Sequence, residues 1–346
     1  MSPLLLGATR TNILATKNPQ VIDLFGYARP DAVVTVDGRP VVAIEQTKMN
    51  PSGHNIPQRF SCLVRAAELG VAGILYYPEY SRRTFSDPNV RYLQVRVPIA
   101  QRRLTQIYGV PSMSVFWPTD AKTKLPSTKQ SAQQELADVV DLIIRKAGSL
   151  ESLTNEPLVR NIFDKMDRAI APHGARYKLN ASVRRYMPDG YPDVAKLSPW
   201  AVDPPGKASL LRTADKLASI GKSYRLGPAW DVISARLLAR KYSLLFPGTV
   251  NQSGNDSEHP WPGYLTLLDI LYTRSSQGRR HEDRDQNLIY EINLPHSIFV
   301  GRLNQSPMPT PTRIVYDFSD LILLRDAVVV GRPQRQGQPL TYYVAS

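Results

Sequence analysis

The sharpest hydrophobic patterning along the chain lies at residues 30–48, PDAVVTVDGRPVVAIEQTK. Val33, Val34 and Val36 make one β-branched run, and PVVAIEQT reads as a return strand. Asp37-Gly38 between them favours a two-residue hairpin turn, because both residue types accept a positive φ. Upstream, PQVIDLFG at 19–26 predicts a short helix, with Pro19 in its first turn and Gly26 past its end. Downstream, Phe60, Leu63, Val64 and Ala67 recur at helical spacing up to Gly70. AGILYYP then reads as a buried strand ended by Pro78, PIAQRRLTQIYG as a helix and MSVFWP as another strand. The order helix, hairpin, helix, strand, helix, strand predicts an α/β class, with a mixed central sheet flanked by helices.

After residue 118 the pattern changes. TDAKTKLPSTKQSAQQ has no periodic apolar face and reads as a linker. Residues 131–146, 156–171, 207–220 and 229–246 read as helices, with the loop RYMPDGYPDVAKLSPWAVDPPG between the pairs. PGTVNQSGNDSEHPWPG marks a second break. The tail offers one helix, YLTLLDILYT, and the strands NLIYEINL, SIFVGRL, TRIVYDF and DAVVVG. The expected division is therefore a core at 1–130, a basic helical region at 131–250 and a mixed α/β C-terminal part at 251–346.

Composition narrows the classes. The 346 residues suffice for two or three cores of ~100–150 residues each. The N-terminal stretch has no basic segment before its short apolar run, so no signal peptide is expected. No apolar run approaches the ~20 residues of a membrane helix, and no membrane partner is expected. The single cysteine, Cys62, excludes an internal disulfide framework and a multi-cysteine zinc cage, which points to a reducing, cytoplasmic setting. The net charge of +13 changes the picture most, because it fits either a plain solubility charge or the footprint of a polyanion partner. The basic excess falls in residues 1–130 and 151–250, with pairs such as Arg82-Arg83, Arg102-Arg103 and Arg184-Arg185. Nucleic-acid binding, in part by the 131–250 region, is the expectation the second reading gives.

Candidate chemistry centres on the hairpin. Asp31 opens its first strand and Glu45 lies near the end of the second, so a turn at Asp37-Gly38 brings the two positions close together. Glu45 and Thr47 share one face of the strand, and Ile44 and Gln46 the other. Read from the residues alone, the two acids fit either a shared cation or two solvated strand ends. Two carboxylates and a backbone carbonyl, completed by waters and phosphate oxygens, would suit Mg²⁺.

Pro30-Asp31 followed by Glu45-x-Thr47, set in helix–strand–strand–helix–strand, resembles the PD-(D/E)xK nuclease superfamily, which includes many type II restriction endonucleases. The resemblance covers about residues 15–120. It implies a restriction-endonuclease-like core in which Asp31, Glu45 and the Gln46 carbonyl bind Mg²⁺, with Mn²⁺ as a substitute. It also implies hydrolysis of double-stranded DNA, and a homodimer for symmetric cleavage. The third motif position, usually Lys in that superfamily, is Thr47 here, which can orient a water but supplies no charge. Lys48 is adjacent but turned to the other face unless a bulge re-aims it. On the following helix Gln58 resembles a glutamine that some branches place beside the site, and His54 and Arg59 are within the same reach.

Other constellations carry less. The five histidines show no HExxH spacing, and no Walker A loop, GxGxxG or GxSxG elbow occurs. Pro192-Asp193 has no acid-bearing strand after it and reads as a turn. Asp283 and Asp285 precede a strand-like run that contains Glu291, and the three read as solvated rather than as a second metal cluster. Tyr76 and Tyr77 read as packing residues. Two rival functions remain open at this level. One is a DNA-binding module with an inactive nuclease-like domain; the other is a defence or repair nuclease acting on other DNA structures or RNA.

Overall fold

A computed structural model describes residues 11–47, 55–82, 84–174, 208–248, 262–275, 278–279, 283–335 and 340–345. Within these, the chain forms two compact units, one from residues up to 174 and one from 208 onward.

The first unit contains a four-stranded sheet in the order β1-β2-β3-β6. Helix α1 (Pro19–Asp23), capped by the Asn18 side chain, leads into β1 (Ala32–Val36) and β2 (Arg39–Gln46). Asp37 and Gly38 take φ values of 49° and 78°, the left-handed turn their side chains permit. Helix α2 (Asn55–Glu68) crosses to β3 (Ala72–Tyr77), which pairs parallel with β2. A small ribbon, β4 (Tyr80–Arg82) and β5 (Val90–Tyr92), precedes α3 (Arg96–Tyr108), and β6 (Ser112–Phe116) returns parallel to β3. The two crossover helices cover one face of the sheet and later helices cover the other, which is why β3 is apolar along its whole length.

Helices cover both sides of this sheet. Val42, Ile74, Tyr76, Met113 and Val115 face α4 (Gln134–Arg145) and α5 (Pro157–Gly174), whose Val139, Ile143, Ile162 and Met166 complete the core. On the opposite face Ala43 packs with Ala66 of α2, and Gly73 lies close under Leu63. Gln101 and Thr105 of α3 hydrogen-bond to Ser114 and Ser112 of β6 on that face. The expected mixed sheet flanked by helices is present, and Tyr76 and Tyr77 are buried packing residues.

The second unit is a six-stranded mixed sheet in the order β12-β11-β10-β9-β8-β7. Strand β7 (Ser209–Arg212) is followed by α6 (Thr213–Tyr224) and α7 (Ala229–Leu237), then β8 (Tyr242–Pro247). Helix α8 (Pro262–Leu268) continues into a π-helical turn, Asp269–Thr273, before β9 (Asn287–Glu291). Then come α9 (His296–Leu303), α10 (Thr310–Phe318), β10 (Leu321–Leu323), β11 (Ala327–Val330), α11 (Arg332–Arg335) and β12 (Tyr342–Val344). Strands β8, β9 and β10 run parallel, and the remaining pairs are antiparallel.

Several expectations change. SIFVGRL and TRIVYDF are helices, α9 and α10, not strands. Prolines set both starts: Pro295 and Pro309 sit at the N-caps, and the Asp326 carboxylate accepts the His296 N–H at 2.7 Å. The 207–220 and 229–246 stretches each contain a strand, β7 and β8, which pair with each other. The contacts accordingly group the chain differently from a division at 130 and 250. Helices α4 and α5 belong with the first sheet, and residues from 208 onward with the second. The loop at 185–206 and the Pro192-Asp193 dipeptide lie outside the described residues.

Candidate metal site on the hairpin

The hairpin register decides whether Asp31 and Glu45 meet. From the turn outward, Val36 faces Arg39 and Thr35 faces Pro40. Continued unbroken, that register sets Asp31 opposite Ile44 and leaves Glu45 on the other face, because directly opposed residues share a face. The ladder instead shifts between Val34 and Thr35, so Val34 faces Val42, and Ala32 faces Ile44. One extra residue in β2 thus places position 31 against 45, on the same face. The Gln46 N–H then donates to Asp31 Oδ2 at 2.7 Å, fixing the carboxylate at the end of the ladder.

The two acids differ in environment. Glu45 is buried, whereas the Asp31 side chain is half exposed, so the site opens to solvent on the Asp31 side. Burial pushes the Glu45 carboxyl up to about 7; the Asp31 charge adds to that shift, and Arg59 opposes it. Cys62 donates its thiol to the Arg59 carbonyl at 3.0 Å and lies 4.0 Å from Glu45 Oε2. Burial pushes that thiol up as well, which favours its neutral form beside Glu45.

Arg59, in the second turn of α2, reaches into this site. Its Nη1 donates to Glu45 Oε1 and to the Gln46 carbonyl at 3.4 Å, and lies 3.6 Å from Asp31 Oδ2. Three hard oxygens of the expected ligand set therefore surround one cationic nitrogen. A stand-in cation among two carboxylates and a carbonyl is the donor chemistry that Mg²⁺ or Mn²⁺ accepts, so these residues fit the ion the resemblance implies. Among the described residues no three His, Cys, Asp or Glu side chains gather around a common point.

The other expected residues divide. Thr47 is buried at the end of β2, on the Glu45 face, with its N–H bonded to the Tyr76 carbonyl at 3.0 Å. Lys48, His54 and the Gln58 side chain lie outside the described residues, although the Gln58 backbone belongs to α2. Of the three residues within reach in the sequence, Arg59 is the one whose side chain is described, and it lies at the carboxylates. Arg102 and Arg103 do not form an exposed basic pair. Arg103 is fully buried, and Arg102 lies over the Phe163 ring and pairs with Asp167 at 3.6 Å. Arg83, Arg184 and Arg185 lie outside the described residues. Glu291 is exposed at the end of β9, 3.7 Å from Lys216, and builds no cluster with Asp283 and Asp285.

The second unit holds a different charged group. Asp269 pairs with Arg274 at 2.9 Å and Arg284 at 2.7 Å, and Asp320 pairs with Arg284 at 3.0 Å and Arg240 at 3.2 Å. Asp269, Arg274, Arg284 and Asp320 are fully buried side chains, and their charges are matched among themselves. That is a structural network tying the π-helical turn to β10, closed to substrate. No helix of the described chain is long and apolar enough to cross a membrane. Comparison with protein-family models, with curated proteins and with solved structures finds no match to this chain.

Proposed function

We propose that the chain is a Mg²⁺-dependent endonuclease that hydrolyses phosphodiester bonds of double-stranded DNA, sequence-specific in the manner of a type II restriction enzyme. The observation that carries this reading is the convergence of Asp31 Oδ2, Glu45 Oε1 and the Gln46 carbonyl on one cationic nitrogen. The β1-β2-β3 arrangement with α2 between β2 and β3 supports it, as does the net charge of +13.

In this reading Asp31 and Glu45 hold the ion, and the Gln46 carbonyl completes the protein's share of the ligands. An ion held there would supply Lewis-acid chemistry toward a phosphate oxygen and an attacking water. The half-exposed Asp31 marks the side from which a phosphate approaches, while buried Glu45 is held by the sheet and α2. Thr47 contributes at most a hydrogen bond to the water. Cleavage of both strands at a symmetric site would require two copies of the chain.

A second reading, a DNA-binding module with a silent nuclease site, draws on Thr47 and on the arginine among the ligands. One assay separates the two. The purified protein is incubated with plasmid and phage DNA, in Mg²⁺ and in EDTA, and resolved on a gel. Discrete Mg²⁺-dependent bands are the expected result. A Mg²⁺-dependent smear would remove sequence specificity, and intact DNA that shifts in a binding gel would favour the silent module.

A further inference from the structure

We propose that Arg59 is a built-in competitor for the divalent ion, closing the site until the guanidinium moves away. The proposal rests on the metal-site reading above and concerns how that site is regulated.

Distances make the competition unavoidable. Mg²⁺ needs its oxygens at about 2.0–2.1 Å, whereas an N–H···O bond spans about 2.7–3.2 Å, so an ion and Nη1 cannot share the same three oxygens. Nη1 contacts all three, donating to Glu45 Oε1 and the Gln46 carbonyl and pairing with Asp31 Oδ2. Repulsion between the guanidinium and a divalent ion adds to this exclusion in a partly desolvated site.

The side chain is also able to leave. Arg59 is 38% exposed, on the same open side as Asp31, whereas Glu45 beneath it is 5% exposed. Its flexible stem can swing to solvent, where a phosphate is the natural partner for a planar guanidinium. The carboxylates need no comparable movement, because the Gln46 N–H holds Asp31 and burial holds Glu45. A purely structural Arg59 predicts the opposite of competition. If the arginine merely held the two acids together, its removal would spread them and weaken ion binding.

The sign of one effect therefore tests the proposal. MnCl₂ is titrated calorimetrically into the full chain and into Arg59→Met and Arg59→Lys, without DNA. Arg59→Met keeps the apolar stem and removes the charge, and Arg59→Lys retains it. The expected result is Mn²⁺ binding at least tenfold tighter in Arg59→Met, with Arg59→Lys close to the unaltered protein. Equal or weaker binding in Arg59→Met, still abolished by Glu45→Gln, would overturn the competition and leave the metal-site reading standing. Binding in neither the unaltered chain nor Arg59→Met would overturn both.

Discussion

At the scale of single residues, Glu45 carries the most consequential environment in the first unit. Its carboxyl is raised from 4.5 to about 7, first by burial and then by the Asp31 charge, against the pull of Arg59. A raised pKa means that the folded chain holds the proton more tightly than the unfolded chain. Its contribution to stability is present in full below about pH 4.5 and is lost as pH rises through about 7. In metal-free buffer, Glu45→Gln should flatten the fall in stability over that window, by up to about 3 kcal/mol relative to the unaltered chain. Denaturation midpoints at pH 5 and pH 8 give the comparison, and identical pH slopes would refute it. The turn dipeptide made it legible that positions 31 and 45 come near one another, but that they share a face depends on the register shift beside Val34. The sequence left Arg59 tied with His54 and Gln58, because which helical side chain faces a strand depends on how α2 lies on the sheet. Spacing along the chain does not contain that information.

At the scale of elements, the extra residue in β2 and the buried charge network show where local pattern yields to packing. The Asp37-Gly38 turn was readable, but the register shift beside Val34 was not, because valines on both strands satisfy either register. Helices α9 and α10 were hidden for a related reason. SIFVGRL and TRIVYDF contain β-branched residues that suit strands, but Phe299 and Leu303 are buried one helical turn apart in the first, and the second is buried continuously from Ile314 to Phe318, so it shows no alternation of a half-buried strand. Packing overrode propensity there, and the prolines before each segment were the overlooked signal. The second unit depends on its charges in a way hydrophobic patterning cannot show. Asp269 pairs with two fully buried arginines, so Asp269→Ala would take a buried carboxylate from Arg274 and leave Arg284 to Asp320. The expected loss is about 3–5 kcal/mol, read from chemical denaturation of the full chain. A loss under about 1 kcal/mol would show that water or other groups take over the pairing.

At the scale of the whole molecule, the basic excess and the two sheets bear on function in different ways. The charge of +13 favours association with a polyanion without naming the surface that meets it. Burial removes one expected surface, since Arg103 is a core residue and Arg102 is engaged by Phe163 and Asp167. The α/β class of the first unit followed from alternating strand and helix periods, which are local. The boundary between the units did not, because α4 and α5 look like part of a helical region until their apolar faces meet the first sheet. The central claim remains that Asp31 and Glu45 form one ion site for phosphodiester hydrolysis, and cleavage by their variants tests it most directly. Asp31→Ala and Glu45→Ala are compared with the unaltered chain on the same plasmid and phage DNA in Mg²⁺, with DNA affinity measured in parallel. The account predicts that cleavage is abolished in both while DNA is bound as tightly or more tightly, because a negative charge facing phosphate is gone. Undiminished cleavage in both variants would contradict it.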